Sequence, residues 1–316
     1  MTHRNIIVLG SANMDLVLPL PRLPREGETL TGGDLALHPG GKGANQACAA
    51  AKLGGKAVMI AQVGSDPFAA KLIESLAANG VDTSRIGVSA RPTGCASIYV
   101  LPDGENSIVI SPGANATLDV DIALSKLDSL QSGDLLLCQL EIPLPTVAAA
   151  LSKARAAGAT TILDPAPAQS LSRDVLSSVD FLTPNQTEAA ALLGRPGCEP
   201  RGFEDAAEVA RELLSLGPKT VVVKLGSLGC LIANANMCES VPAFPVTAVD
   251  STAAGDVFNA GFAVALAEGK GLVDAAVFAS AAAAISVTRP GAQSSVPSRN
   301  EVEAFLKQKT GPAAAR

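Results

Sequence analysis

Tryptophan is absent, tyrosine occurs once and phenylalanine eight times in 316 residues. Aromatic platforms of the kind that stack single-stranded nucleic acid are therefore scarce. A formal charge of −6, from 24 Lys+Arg against 30 Asp+Glu, removes a broad basic surface for a polyanion as well. Histidine is nearly missing: His3 is terminal and His38 lies on the approach to a glycine loop, which leaves little scope for a Ser-His-Asp triad or a histidine-rich metal site. The six cysteines, at 48, 95, 138, 198, 230 and 238, form no CxxC pair. They read as free, mostly buried thiols of a reducing compartment. No apolar run is long: the greasiest stretches, near 260–267 and 275–287, are alanine-rich and broken by Gly or Ser. Both fall short of the roughly 20 apolar residues that span a bilayer. Residues 6–9 are too short for a signal-peptide core. The expectation is a cytoplasmic protein with neither nucleic acid nor membrane as partner.

What is present is core material, with 47% hydrophobic residues. The length suits one large domain or two ordinary ones. No linker, low-complexity tract or internal repeat divides the chain, so 1–316 is expected to form a single domain. Short β-branched and leucine runs at 6–9, 58–63, 135–140, 160–163, 181–183, 220–224 and 230–233 alternate with helical patterns at 44–52, 68–79, 145–157, 204–216, 253–268 and 272–287. That alternation predicts an α/β fold with a mostly parallel sheet. Two regions break the rhythm. Residues 13–38, and 94–111 across the turn Pro102-Asp103-Gly104-Glu105, read as antiparallel strands inserted between the βα units. A small β-sheet standing off the main body is expected there, as a lid over a cleft, a surface for a second copy of the chain, or a plain hairpin.

The sharpest motif is Asp250-Ser251-Thr252-Ala253-Ala254-Gly255-Asp256, running into a helix marked by Phe258, Phe262 and Ala265. Small residues at Ala253, Ala254 and Gly255 let a ligand approach the backbone, and Gly255 can adopt conformations other residues resist. The free N–H groups of the first helical turn would form an anion hole suited to a migrating phosphoryl group. Asp256 in that turn is either a helix cap or a general base for a hydroxyl nucleophile. A carboxylate beside an anion hole is electrostatically awkward unless it handles a proton, which favours the base.

A second motif is Gly40-Gly41-Lys42-Gly43-Ala44-Asn45-Gln46-Ala47. It is no P-loop, because Gly43 follows Lys42 where Ser or Thr is required, and no dinucleotide fingerprint, because Gln46 replaces the last glycine. What remains is a glycine loop opening a helix, with Lys42 and Asn45 able to bind a polyhydroxylated ligand, or a plain turn. Asn13, Asp15 and Glu141 follow predicted strands, where open α/β sheets bind ligands. Asn185 and Glu188 lie in Thr183-Pro184-Asn185-Gln186-Thr187-Glu188, which starts another helix. Glu188 could orient a Mg²⁺-bound water or simply favour the helix dipole. The turn Lys224-Leu225-Gly226-Ser227-Leu228-Gly229 could lie against a nucleotide or merely join two strands.

In their order and separation, the segments 40–47, 183–188 and 249–256 resemble the ribokinase-like (PfkB-type) carbohydrate kinase family, and the resemblance extends from the first strand to Ser295-Val296-Pro297. It implies a three-layer α/β/α domain with a β lid, commonly dimeric through that lid, and ATP-dependent phosphorylation of D-ribose at its 5-hydroxyl. The sugar contacts it implies are Asn13, Asp15, Gly41, Lys42, Gly43, Ala44, Asn45 and Glu141, with Asp256 as base and Ala253, Ala254 and Gly255 shaping the anion hole. For ATP it implies Asn185, the turn 224–229, Gly255 and Ser280, with Glu188 acting on Mg²⁺ through the phosphate shell. Lys224 and Ser280 stand where close members would carry Thr and Asn or His. Asp250, Thr252, Ser286, Arg289, Gly291 and Ser295 match the family's K⁺ site, several of them through backbone carbonyls. Other acceptors, namely deoxyribose, fructose, a sugar phosphate or a nucleoside, preserve the same chemistry. A non-catalytic sugar sensor and, more distantly, a nicotinamide dehydrogenase are the readings from other classes.

Overall fold

Alternation along the first strand decides the layering. In β1 (Asn5–Leu9), Ile6 and Val8 enter one apolar cluster while Ile7 and Leu9 enter another, all four buried. Successive side chains of a strand leave opposite faces, so both faces of this sheet require helices over them. The computed structural model of the chain describes residues 4–310; residues 1–3, including His3, and 311–316 lie outside the described residues.

The remaining strands are β2 (Asn13–Pro19), β3 (Ala36–Gly40), β4 (Lys56–Val63), β5 (Ile86–Val88), β6 (Gly94–Val100), β7 (Asn106–Ser111), β8 (Leu135–Cys138), β9 (Thr160–Leu163), β10 (Phe181–Leu182), β11 (Thr220–Lys224), β12 (Gly229–Asn234) and β13 (Cys238–Pro242). Nine of them make the central sheet in the order β13-β12-β11-β10-β9-β8-β1-β4-β5. It is parallel from β11 to β5, and antiparallel where β12 and β13 fold back. One face is covered by α1 (Lys42–Lys52), α2 (Pro67–Ala78), α8 (Ala254–Ala267), α9 (Leu272–Ser286) and α10 (Arg299–Thr310). The other carries α3 (Val120–Lys126), α4 (Leu144–Ala156), α5 (Arg173–Leu176), α6 (Gln186–Leu192) and α7 (Phe203–Leu214). The alanine-rich runs are α8 and α9, buried nearly all round and packed on each other. A Cβ on Gly261 would lie 3.1 Å from the Ala279 backbone, which is how closely these two helices approach. Among the described residues no helix is long and apolar enough to cross a membrane.

β3, β2, β6 and β7 form a separate four-stranded sheet in that order. Its β2–β3 and β6–β7 pairs are antiparallel, but β2 and β6 run parallel, a correction to the expectation of antiparallel strands throughout. The chain leaves the parallel main sheet in the same direction twice, after β1 and after β5, so the two exit strands point the same way. The cysteines are free as expected, but only Cys48, Cys138 and Cys230 are buried; Cys95 is half-buried, and Cys198 and Cys238 are exposed.

Because β1, β8, β9, β10 and β11 are parallel, the loops after them gather on one rim of the sheet. That rim, where ligands bind in open α/β sheets, holds nearly every polar residue singled out by the motifs.

Candidate active site

The glycine loop delivers α1 to the rim. Gly41, preceding the helix, has a left-handed φ of 87°, and its would-be Cβ would sit 2.8 Å from the Asn13 amide nitrogen. Ala44 N–H donates to the Ser11 carbonyl at 2.8 Å, tying the first turn to the loop after β1. Glu141, after β8, accepts from Lys42 N–H at 3.0 Å and from the Ser11 hydroxyl on the same oxygen. A carboxylate at a helix N-terminus is favourably placed, so Glu141 locks three rim segments together. Asp15 reaches the rim from β2; a Cβ on Gly40 would fall 2.1 Å from its Oδ2, so glycine there makes room for the carboxylate. The buried Asn13 accepts from Asn115 Nδ2 at 2.7 Å, and Asn115 Oδ1 accepts from Ala12 N–H.

Asp256 is 5% exposed in the first turn of α8. It does not cap that helix: Oδ2 accepts from Asn45 Nδ2 at 3.1 Å and Oδ1 from Gln46 Nε2 at 2.9 Å, both side chains of α1. Gln46 Nε2 also donates to Asp164 Oδ2 at 2.9 Å, and its own oxygen accepts from Gln139 Nε2. One amide thus holds two carboxylates. Burial pushes the Asp256 carboxyl up, Lys42 draws it down, Asp164 raises it, and the Gln46 and Asn45 bonds lower it, leaving it at about 6. Asp15 is pushed up to about 7, first by burial and then by Glu141 and Asp256. Burial alone would lower Lys42, but Asp256, Asp164, Glu141 and Glu188 together hold its ammonium above its ordinary value.

These shifts have a sign. A carboxylate takes a proton, or accepts hydrogen bonds through both oxygens, only when ionised, so kcat/KM should fall as pH drops through about 7 and then about 6, steeper than a single titration. Asp15→Asn should leave one limb near 6, measurable in a pH–rate profile. An unchanged slope would remove Asp15 from the profile.

Two cavities meet above α8. One, of about 350 Å³, is mostly apolar and is walled by Phe244, Val246, Ala283 and Val287, with the glycines of the 226–229 turn and Ser280 at its edge. The other, of about 430 Å³, is polar and is lined by Lys42, Asp164, Asn185, Glu188 and Asp256. Lys224, Gly226, Ser251, Ala254 and Gly255 border both. At the seam the left-handed residue is Ala253, φ 59°, while Gly255 lies within the helix, contrary to the conformational role expected for that glycine. Ala254 N–H donates to the Ser251 carbonyl, so the open donors of the turn are those of Gly255 and Asp256. The strain sits on the residue that turns these amides toward the cavity.

The model of the pfkB family of carbohydrate kinases matches residues 3–299. The chain belongs to that family. A ribokinase of Haemophilus influenzae is 43% identical over 306 residues, covering 96% of this chain and 99% of that protein. A deoxyribokinase of Salmonella typhi is 37% identical over 307 residues, covering 96% and 98%. The structure of the Arabidopsis thaliana ribokinase complexed with ribose and ATP superposes with a TM-score of 0.88 at 34% identity, covering 97% of this chain and 99% of that one.

Elsewhere in this pfkB-family kinase, Asn185 and Glu188 form a reciprocal cap on α6. Asn185 N–H and Nδ2 donate to the two Glu188 oxygens at 2.7 and 2.8 Å, and Glu188 N–H donates back at 2.8 Å. The helix-terminus reading of Glu188 is what this cap shows, and the same carboxylate also borders the polar cavity. Burial raises Glu188, and Lys224 offsets part of that. Leu225 is buried, and Leu228 is exposed at the far end of its turn. The loops 250–252 and 286–295 meet: Val287's carbonyl accepts from Val249 and Asp250 N–H, and Asp250 accepts from Thr252 and Gly291 N–H. Ser286 and Ser295 are buried, their hydroxyls donating to Ala283 and Ala292 carbonyls. Arg289 pairs its guanidinium with Glu301 at 2.6 Å.

The kinase site also contains residues that motif reading missed. Asp164 directly follows a predicted strand, the rule that found Glu141, and could have been found by it. Gln46 lay inside the glycine motif without a role. Asn115 and Gln293, the latter donating to Asn45 Oδ1 at 3.3 Å, carry no local signal.

Proposed function

We propose that the chain transfers the γ-phosphoryl group of ATP to the 5-hydroxyl of D-ribose, giving D-ribose 5-phosphate and ADP. The observation that carries this reading is Asp256 itself: a buried carboxylate, held by α1 and facing the polar cavity beside the open amides of α8. The acceptor follows from the ribokinase relatives and from the ribose named in the Arabidopsis complex.

Asn13, Asp15, Gly41, Lys42, Asn45 and Glu141 bind the sugar hydroxyls at the rim, beside the main chain of Gly43 and Ala44. Asp256 then takes the proton of the attacking hydroxyl, and Gly255 and Asp256 N–H receive the charge of the migrating phosphoryl. The apolar cavity takes the adenosine, against Ser280 and the glycines of the 226–229 turn. The small sheet is a lid over the sugar. Its edge strand β7 exposes Ile108, Val109 and Ile110, an apolar strip on which a second copy of the chain would pair.

The donor set suits Mg²⁺ held through phosphates and water, because Glu188 is capped and no cluster of three acidic, His or Cys ligands occurs among the described residues. Mg²⁺, when bound, neutralises charge on the phosphates. The loops 250–252 and 286–295, rich in carbonyl and hydroxyl oxygens and with Arg289 turned to Glu301, suit K⁺, which when bound would supply positive charge near the anion hole.

An ADP-release assay across ribose, deoxyribose, fructose, sugar phosphates and nucleosides, in K⁺ and in tetramethylammonium, tests the reading. Fastest turnover with ribose in K⁺ is expected. Sugar binding without ADP release would make the chain a sensor, preference for deoxyribose would reassign the acceptor, and equal rates in both cations would remove K⁺.

A further inference from the structure

Lys224 ends β11 at the seam between the two cavities, and the motif reading placed it only within a nucleotide-facing turn. Its ammonium is 2.9 Å from Asp164 Oδ1, with side-chain exposures of 12% and 3%. An ion pair this buried is poor economy as a stabiliser, since desolvation of both charges offsets most of their attraction. Asp164 is also already engaged, because its other oxygen accepts the Gln46 amide that holds Asp256. The would-be Cβ of Gly255 lies 3.5 Å from Lys224 Nζ, so the ammonium faces the same turn of α8 that offers the open amides.

Resting on the kinase reading above, we propose that Lys224, seated on Asp164, is a binding residue for the terminal phosphates of the nucleotide. An ammonium has three donors, and Asp164 takes one; the other two are available to phosphate oxygens at the junction of the apolar and polar cavities. Asp164 needs no release, because it serves as the anchor that aims the lysine. The adenosine end is out of the lysine's task, so its contribution scales with the phosphates present.

The test is equilibrium binding of ATP, ADP and AMP, without sugar, to the intact chain and to Lys224→Met. ATP and ADP affinity should fall roughly 10- to 100-fold, the size of a charge-assisted bond, with AMP within about twofold. Because methionine leaves Asp164 buried without its cation, the double variant Lys224→Met/Asp164→Asn is measured beside it and should show the same selective loss. ATP binding at the intact level in either folded variant, or equal losses for ATP and AMP in both, would overturn the assignment while leaving the kinase reading intact. An intact chain that binds no ATP would overturn both.

Discussion

Replacing Asp256 by asparagine is expected to lower kcat by about 10²- to 10⁴-fold, the usual worth of a positioned general base, while the affinities for sugar and nucleotide change little. Asparagine keeps the volume, so the anion hole and the seat of α8 against α1 are preserved. What is lost is an atom that can accept a proton. Gln46 Nε2 and Asn45 Nδ2 both donate to the carboxylate, and an asparagine side chain has only one oxygen to offer them, so one donor loses its acceptor. That local cost appears as reduced thermal stability, and the kinetic cost appears in turnover. Isothermal titration with ribose and ATP, run beside steady-state kinetics, separates the two. If the variant turned over within a few-fold of the intact chain, Asp256 would be a structural carboxylate. The acid limb supplies an independent check: in the variant the separate limb assigned to Asp256 should vanish, leaving a single limb from Asp15 that lies below about 7, because the Asp256 charge that helps raise Asp15 is gone.

How much of this could be read without coordinates depends on whether the signal was local. The strand at 160–163, the helix C-terminal glycines at 54, 80, 158 and 217, all left-handed in the structure, and the loop opening α8 are local, written in short runs of residue types. The nine-stranded order is not. β3, β5 and β13 are short, exposed or polar strands whose pairing is decided by neighbours far along the chain, and their own residues barely alternate. The parallel β2–β6 pairing is likewise a property of the path between them. In the site, the chemistry-bearing ends, Asp256, Lys42 and Glu141, stood out because each lies at a break in pattern. Their supporting residues did not. Gln46 joins Asp164 and Asp256 across 118 and 210 positions of sequence, and no spacing rule reaches that far. Ala253 shows the opposite failure. Glycine was the natural choice for the strained position, yet the chain places its left-handed turn on an alanine two residues earlier and puts Gly255 in regular helix.

Gly43→Ala should be the most damaging single-methyl change in the chain's glycine loop. Its would-be Cβ meets Ser11 N at 2.5 Å, the Gly10 carbonyl carbon at 2.7 Å and Ser11 O at 2.7 Å, all backbone atoms of the loop after β1, and none can rotate away. Either that loop or the first turn of α1 must move, and the Ala44–Ser11 hydrogen bond and the Gly43 N–H to the Ser11 hydroxyl go with it. Overpacking of this kind costs about 1–3 kcal/mol. The larger effect is on function, because Lys42, Asn45 and Gln46 ride on that turn and a displacement near 1 Å at a reacting centre costs on the order of 10²-fold in rate. On the proposed mechanism both sides of the reaction are hit together: Lys42 lines the polar cavity and would contact the sugar, and Asn45 and Gln46 hold Asp256, the proposed base. A matched control is Gly202→Ala, where nothing lies within 4 Å and the backbone is extended; it precedes α7 and costs at most about 1 kcal/mol of capping, so its kcat/KM should stay at the intact level. A Gly43→Ala chain that melted and turned over like the control would show that the contact between α1 and the Ser11 loop is slack, and that the glycine is there for some reason other than close approach.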